Sequence, residues 1–438
     1  MRELVAWIND QPVGTWHVRR DGYHLFDYAP SWLAHVEARP ISLSLPLTAD
    51  KPLEGAVVKN YFDNLLPDSE GIRQRLSTRL KLTQTDTFAM LQAIGRDCVG
   101  ALQLLPPGET PAPVDHLSYD ELSSSQLEAH LASLGDASTP DPLVDTGYRL
   151  TIGGAQEKTA LLRIGQQWCR PLGATPTTHI LKPAIGVTPG RQLDLRRSVE
   201  NEWLCSQILS QLKLPVARCE IADFGDRRVL VVERFDRQWQ EGPWISRLVQ
   251  EDLCQALGVG SDTKYEAKGG PGMQACLEVL KGSVSPQQDG RTFLCAQLLF
   301  WLLGAIDGHA KNFSLFHLPG GGYRMTPLYD VISAWPLIGT GPYDIAYKKA
   351  KLSMAVRSRT AHYRLNEVQR RHWEHLALTS GVQDAWPAML EMVQRIDAAL
   401  LAVEQALPPD FPMAMAQSIF AGTRAHLRKF NEAQGYNE

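Results

Sequence analysis

At 438 residues the chain is long enough for about two or three domains with substantial cores, and 44% hydrophobic with 21% charged residues excludes a disordered chain. A formal charge of −4 excludes a polycation, so contact with nucleic acid has to come from a local patch or a partner. The seven cysteines are scattered without a C-x-x-C pair, the N-terminal stretch lacks the apolar core of a signal peptide, and the longest apolar run, Leu298 to Ile306, is far short of a membrane span. A cytoplasmic protein with no membrane partner is expected.

Residues 3 to 28 alternate in short β-type runs, LVAWI, VGTWHV and YHLFDY, separated by turn formers at Asn9-Asp10-Gln11-Pro12 and Arg20-Asp21-Gly22, which predicts a small antiparallel sheet. ISLSLPL at 41–47 reads as a further strand. The stretch 56–80 reads as a helix, a break at Pro67 and a second helix opened by Asp68 or Ser69. Phe88 to Ile94 reads as helix and Val99 to Leu105 as strand. The proline-rich stretch 106–114 follows as a linker or exposed loop, and a helical piece at 119–134 leads to a domain boundary near 140.

Beyond the boundary the order is strand (YRLTI), glycine turn (Gly153, Gly154, Ala155, Gln156, Glu157, Lys158), strand (TALLRI). A glycine pair there lets the backbone approach a ligand and offers N–H groups to phosphate oxygens, although an ordinary hairpin has the same letters. THILKP carries Lys182 on a strand, and 198–212 forms an amphipathic helix with Glu200 and Glu202 in its first turns. VLVVERF ends a strand pair at Glu233, Arg234 and Phe235, and 249–258, 273–280 and 292–306 read as helices. From 366 onward helices dominate, with breaks expected at Gly381, Pro387 and Pro408-Pro409. The basic clusters around Arg357, Arg370 and Arg424 read as solvated helix faces.

The apolar run ending at Ile306 gives way to Asp307, Gly308, His309, Ala310, Lys311 and Asn312, and Tyr329-Asp330 follows after a strand-like piece and a glycine-rich turn. Phosphoryl transfer needs a carboxylate to position an attacking hydroxyl and accept its proton, and oxygen ligands for Mg²⁺. Asp307 fits the first role; Asn312 and Asp330 fit the second. An Asp followed five residues on by an Asn, then by an Asp beyond a hairpin, matches a protein-kinase catalytic loop, although no HRD precedes and Tyr-Asp-Val replaces D-F-G. Two other readings use the same residues. Asp and Asn are common turn formers after a buried helix, and His309 with two carboxylates could begin a metallohydrolase cluster, although no H-x-x-x-H pair lies nearby.

The segments 60-NYFDNLLPDSEGIRQRL-76, 95-GRDCVGAL-102, 153-GGAQEKTALL-162, 233-ERFDR-237, 250-QEDLCQALG-258, 304-GAIDGHAKNFS-314 and 327-PLYDVISAWP-336 together resemble the HipA-type serine/threonine kinases, toxins of bacterial toxin–antitoxin pairs. The resemblance implies an α+β chain, with a small β-rich N-terminal domain (1–139) before a two-lobed kinase-like domain (140–438; small lobe about 140–237, helical lobe about 238–438). It implies ATP and Mg²⁺, a phosphate-cradling loop at 153–158, Lys182 on the α- and β-phosphates, and hinge contacts at Glu233, Arg234 and Phe235. Asp307 would be catalytic and Asn312 and Asp330 would hold metal, with His309, Lys311 and Tyr329 around the nucleotide and Glu202 pairing with Lys182.

The resemblance further implies a HipB-like helix-turn-helix antitoxin, operator DNA reached through it, and glutamyl-tRNA synthetase as substrate. The family carries an autophosphorylated serine before the glycine turn, and this chain has Thr151 there. Threonine keeps the hydroxyl but stiffens χ1, and a phosphate at that position would repel the triphosphate. The alternatives are a catalytically weak co-repressor and a kinase of small molecules.

Overall fold

The computed structural model describes residues 1–111, 113, 116–135, 141, 143, 153, 156–188, 192–242 and 244–432. The predicted strand at 148–152 and three of the expected site residues, Thr151, Gly154 and Ala155, lie outside the described residues. The chain is α+β, as expected, and divides into two compact units. One comprises Met1–Pro183, Ala222–Asp262 and Ser314–Tyr323; the other comprises Ala184–Ile221, Thr263–Phe313 and Arg324–Glu438.

The first unit opens with β1 (Arg2–Ile8), β2 (Gln11–Val18) and β3 (His24–Tyr28). Asn9 and Asp10 both take positive φ (44° and 74°), the conformation a two-residue hairpin turn requires and short polar side chains tolerate. α1 (Pro30–Leu33), β4 (Leu53–Glu54), α2 (Ala56–Asp63), α3 (Glu70–Arg79), α4 (Thr87–Ile94) and β5 (Leu102–Leu105) complete a five-stranded sheet, ordered β4-β3-β2-β1-β5, and its helical cover. Alternation along β1 and β2 sends Leu4, Ala6, Ile8, Trp16 and Val18 to one buried face. There the Trp16 ring stacks on Phe62 with 4.1 Å between centroids. Ser69 caps α3 through its hydroxyl.

The alternating run at 41–47 is not a strand. It closes in a tight turn, Leu45 N–H to Ser42 O at 3.0 Å, because the buried carboxylate of Glu251 captures it. Oε2 of Glu251 accepts from the Ser42 hydroxyl (2.5 Å), and Oε1 accepts from Leu43 N–H (2.9 Å) and lies 2.7 Å from His317 Nε2.

A six-stranded sheet carries the rest of this unit. Its members are β6 (Tyr119–Glu121), β7 (Thr159–Ile164), β8 (Gln167–Pro171), β9 (His179–Pro183), β12 (Cys219–Phe224) and β13 (Arg227–Glu233), in the order β12-β13-β9-β7-β8-β6. The expected helix at 119–134 is split: Tyr119–Glu121 pairs with β8, and α5 (Ser124–Ser133) begins only where Ser123 and Gln126 form a capping box. The hairpin β14 (Arg237–Trp239) and β15 (Ile245–Arg247) follows. The expected helix at 249–258 is also corrected. β16 (Gln250–Asp252) pairs with β17 (Ser314–His317), and Asp252 then caps the short α7 (Leu253–Ala256).

The second unit contains the hairpin β10 (Gly186–Val187) and β11 (Asp194–Leu195), α6 (Ser198–Gln211), α8 (Met273–Leu280) and α9 (Pro286–Leu303). The hairpin β19 (Lys351–Arg357) and β20 (Ala361–Arg364) and helices α10 (Arg370–Thr379), α11 (Ala385–Gln394), α12 (Ile396–Gln405) and α13 (Met413–Glu432) complete it. Pro387 does not break its helix: it is the third residue of α11, where the N–H has no intrahelical acceptor to lose. From Phe293 to Leu303 α9 is buried throughout, which explains why this part of its sequence is apolar on nearly all sides. No helix among the described residues is long and apolar enough to cross a membrane, and the seven cysteines are thiols outside any disulfide.

Candidate phosphotransfer site

α9 ends at Gly304, whose φ of 60° suits glycine, and Ala305 N–H returns to Phe300 O at 2.8 Å. The chain therefore leaves a rigid, buried helix within one residue and enters the loop carrying Asp307. Ser353 on β19 steadies that exit by donating its hydroxyl to Ile306 O (2.8 Å). Gly308 lies against Phe300, and a Cβ there would sit 2.5 Å from the ring. Asp307 is exposed while His309, Lys311 and Asn312 are buried. The loop thus presents one carboxylate outward from a packed base.

A short 3₁₀ turn, Ala310–Asn312, follows. The Asn312 amide donates Nδ2 to Asp307 O (3.2 Å) and to Asp330 O (3.4 Å). One side chain thereby ties together two segments separated in sequence, and with both donor contacts made by Nδ2 its Oδ1 is the atom left to serve as a ligand. Tyr329 donates its hydroxyl to Lys311 O (2.9 Å). Asp330 has φ of 61°, a left-handed conformation that Asp tolerates better than most residues and that recurs at functional sites. Behind it, the Asn201 amide on α6 exchanges two 2.8 Å hydrogen bonds with the main chain of Ser333. Leu328 pairs with Pro215 and Ala217 through main-chain bonds of 2.8 Å. An open cleft of about 670 Å³ reaches Ile306 and is lined by Asp344, Ile345, Lys349, Lys351 and Arg364 among others.

The second unit also holds Glu202, buried on α6 with Glu200, whose carboxylate meets Arg197 at 3.2 Å. The first unit holds the remaining expected residues. Lys182 is buried on β9, opposite Leu230 of β13. Lys158 Nζ reaches Gly153 O (2.7 Å), the Gln156 amide reaches Pro183 O (2.8 Å), and Glu157 pairs with Arg75, whose Nε lies 2.9 Å away. Glu233 is exposed and Phe235 packs edge-on to Phe316.

Arg234 differs from its two neighbours. Its N–H is bound to Thr178 O (2.9 Å) and its guanidinium is buried against Asp236 through bonds of 2.9 and 2.7 Å. Its side chain braces the segment from behind, and a role for it toward a nucleotide is confined to the carbonyl. Asp97 meets Arg234, Arg237 and Arg247 in the same buried cluster.

Residues without an obvious sequence signal complete the site. Tyr265 donates its hydroxyl to Asp307 Oδ1 (3.0 Å) and packs edge-on to His309. Asn201 and Ser353 act on the loop ends from 132 and 47 residues away. Among the described residues there is no cluster of three or more His, Cys, Asp and Glu that could hold a metal by itself.

The fold defines a protein of the kinase-like class. Over 98% of this chain and 97% of the other, it superposes on the HipA toxin of Shewanella oneidensis, solved with HipB and operator DNA, with a TM-score of 0.79 at 23% identity. Residues 4–105 match the HipA N-terminal domain and residues 150–403 the HipA-like C-terminal domain. Among curated relatives, the putative kinase Y4mE of Sinorhizobium fredii is 34% identical over 87% of this chain and 86% of its own length. The serine/threonine-protein kinase toxin HipA of Shewanella oneidensis is 29% identical over 66% of each chain. The chain belongs to the HipA family. It is a HipA-like serine/threonine protein kinase of the toxin class, and ATP is its phosphate donor.

Proposed function

We propose that Asp307 is the base of this kinase and that Asn312 and Asp330 hold Mg²⁺. The observation that carries the reading is the Asn312 amide, whose donor end joins Asp307 and Asp330. Its oxygen and the Asp330 carboxylate would supply the oxygen donors. Two such ligands suit Mg²⁺, which commonly takes one or two protein oxygens and completes its shell with phosphates and water. An ion held by these residues would supply charge neutralisation to the phosphates of the nucleotide. Asp307 orients a Ser or Thr hydroxyl and takes its proton as the new O–P bond forms and the bond from the γ-phosphorus to ADP breaks.

Lys182 contacts the α- and β-phosphates with Glu202 as its partner, residues 153–158 cradle the phosphates, and main-chain groups at Glu233 and Phe235 meet the adenine edge. His309, Lys311 and Tyr329 line the nucleotide. The acceptor segment enters along the cleft at Ile306. The N-terminal domain ends near residue 140, and phosphorylation of Thr151 switches the kinase off. The protein acts in the cytoplasm, a reading supported by its free cysteines. A HipB-like helix-turn-helix antitoxin binds it and brings it to operator DNA, as expected from the Shewanella complex.

The substrate in this reading is glutamyl-tRNA synthetase, whose modification arrests translation and promotes persistence. Incubating the kinase with labelled Mg·ATP, purified synthetase and its tRNA is expected to label the synthetase on Ser or Thr. Label found only on another protein of a lysate would rule out the synthetase and leave the kinase intact.

A further inference from the structure

The loop 263–272 contributes a feature that the reading of Asp307 as base leaves unexplained. It folds back on itself through bonds of 2.9 and 3.0 Å from Lys268 and Gly270 N–H to Tyr265 O. Its glycines are required: Gly269 has φ of 89°, and a Cβ on Gly270 would lie 2.0 Å from Thr263 O. Glu266 fastens the loop to β19, its carboxylate accepting from Ala355 N–H (2.6 Å) and from Arg357 Nε (3.0 Å). A Cβ on Gly272 would strike that same carboxylate at 2.5 Å. The loop is therefore clamped on both sides of Tyr265.

What this clamp presents is a phenol, 3.0 Å from Asp307 Oδ1. The ring stands edge-on to His309 at 5.1 Å, with the Lys264 and Lys268 ammonium groups 5.4 and 5.6 Å from its centroid. An ionised carboxylate only accepts hydrogen bonds, so the phenol is the donor. The Asp307 side chain is 65% exposed. An exposed Asp on a loop samples several rotamers, whereas a base works only when held in reach of its proton. The other oxygen, Oδ2, lies 3.9 Å from His309 Nε2.

We propose that Tyr265 is a positioning residue for Asp307 and that the 263–272 loop is its mount. This rests on Asp307 being the base. The test is Tyr265→Phe, which removes one oxygen from a packed ring, assayed beside Asp307→Ala and Glu266→Gln. Tyr265→Phe is expected to lower kcat about 10- to 100-fold, the scale of a small misplacement of a reacting group. KM for the acceptor, the calorimetric Kd for Mg·ATP and the unfolding midpoint should be unchanged.

Glu266→Gln, which loosens the mount without touching Asp307, should lower kcat in the same direction by less. Wild-type kcat in Tyr265→Phe, or a rise in KM with kcat unchanged, would overturn the proposal while leaving Asp307 as base. Transfer at the wild-type rate in Asp307→Ala would instead remove the premise.

Discussion

Replacing Asp307 with alanine is expected to lower kcat by about 10²–10⁴-fold, the usual contribution of a positioned general base, while Mg·ATP binds with nearly unchanged Kd. The split follows from geometry. Asp307 projects outward from the loop, whereas the candidate metal ligands Asn312 and Asp330 lie on a buried and a half-buried base behind it. Removing the carboxylate takes away an interaction with the attacking hydroxyl and none with the nucleotide. Steady-state transfer and calorimetry on the same preparation measure the two halves of the prediction. A parallel loss of ATP binding would place Asp307 among the nucleotide contacts instead.

The second large effect concerns stability. Asp97→Ala is expected to cost about 3–5 kcal/mol, the range for breaking a buried ion pair by removing one partner. Asp97 Oδ1 accepts from Arg237 (2.8 Å) and Arg247 (3.2 Å), and Oδ2 accepts from the Thr177 hydroxyl (2.7 Å). Without it, Arg234 and Arg237 keep their pairing with Asp236, and Arg247 loses the carboxylate it pairs with. The urea midpoint of the variant reads the loss.

The pH dependence has a definite sign. Burial alone would raise the Asp97 pKa, but Arg237, Arg234 and Arg247 outweigh it and hold the carboxyl well below the ordinary range. Asp236 is lowered in the same way, against its own burial, by Arg234 and Arg237. A depressed folded-state pKa contributes stability that is complete above the unfolded value, near 4, and lost as the pH falls below it. Wild-type stability should therefore fall more steeply than that of Asp97→Ala below about pH 4.

The parts of the site that could be read from sequence are those whose chemistry is local. Asp307, Asn312 and Asp330 stand in one short region with a fixed spacing, and the apolar run before them announced the helix that supports them. The strands of the first sheet were legible for the same reason, since alternation and the Asn9-Asp10 turn act between near neighbours. The failures share the opposite character. ISLSLPL alternates like a strand, yet Glu251, over two hundred residues away, bends it into a turn.

Residues 249–258 carry helical spacing, but Gln250–Asp252 has a partner in β17 that no local pattern announces. The place of Arg234 after a strand suggested main-chain hinge contacts, and only the fold shows that its side chain is held by Asp97 and Asp236. Tyr265 was invisible because its meaning lies in a bond to a residue 42 positions later, made possible by glycines that by themselves suggest only a loose loop.

The most direct test of the Asp307-Asn312-Asp330 assembly is the Mg²⁺ dependence of phosphoryl transfer from labelled ATP, measured for the wild type and for Asp330→Asn. Saturable activation is expected in the wild type, and in the variant a much higher Mg²⁺ requirement with a lower plateau. Transfer that is independent of Mg²⁺, or that shows the same Mg²⁺ dependence in both proteins, would contradict the assignment of Asp330 as a metal ligand.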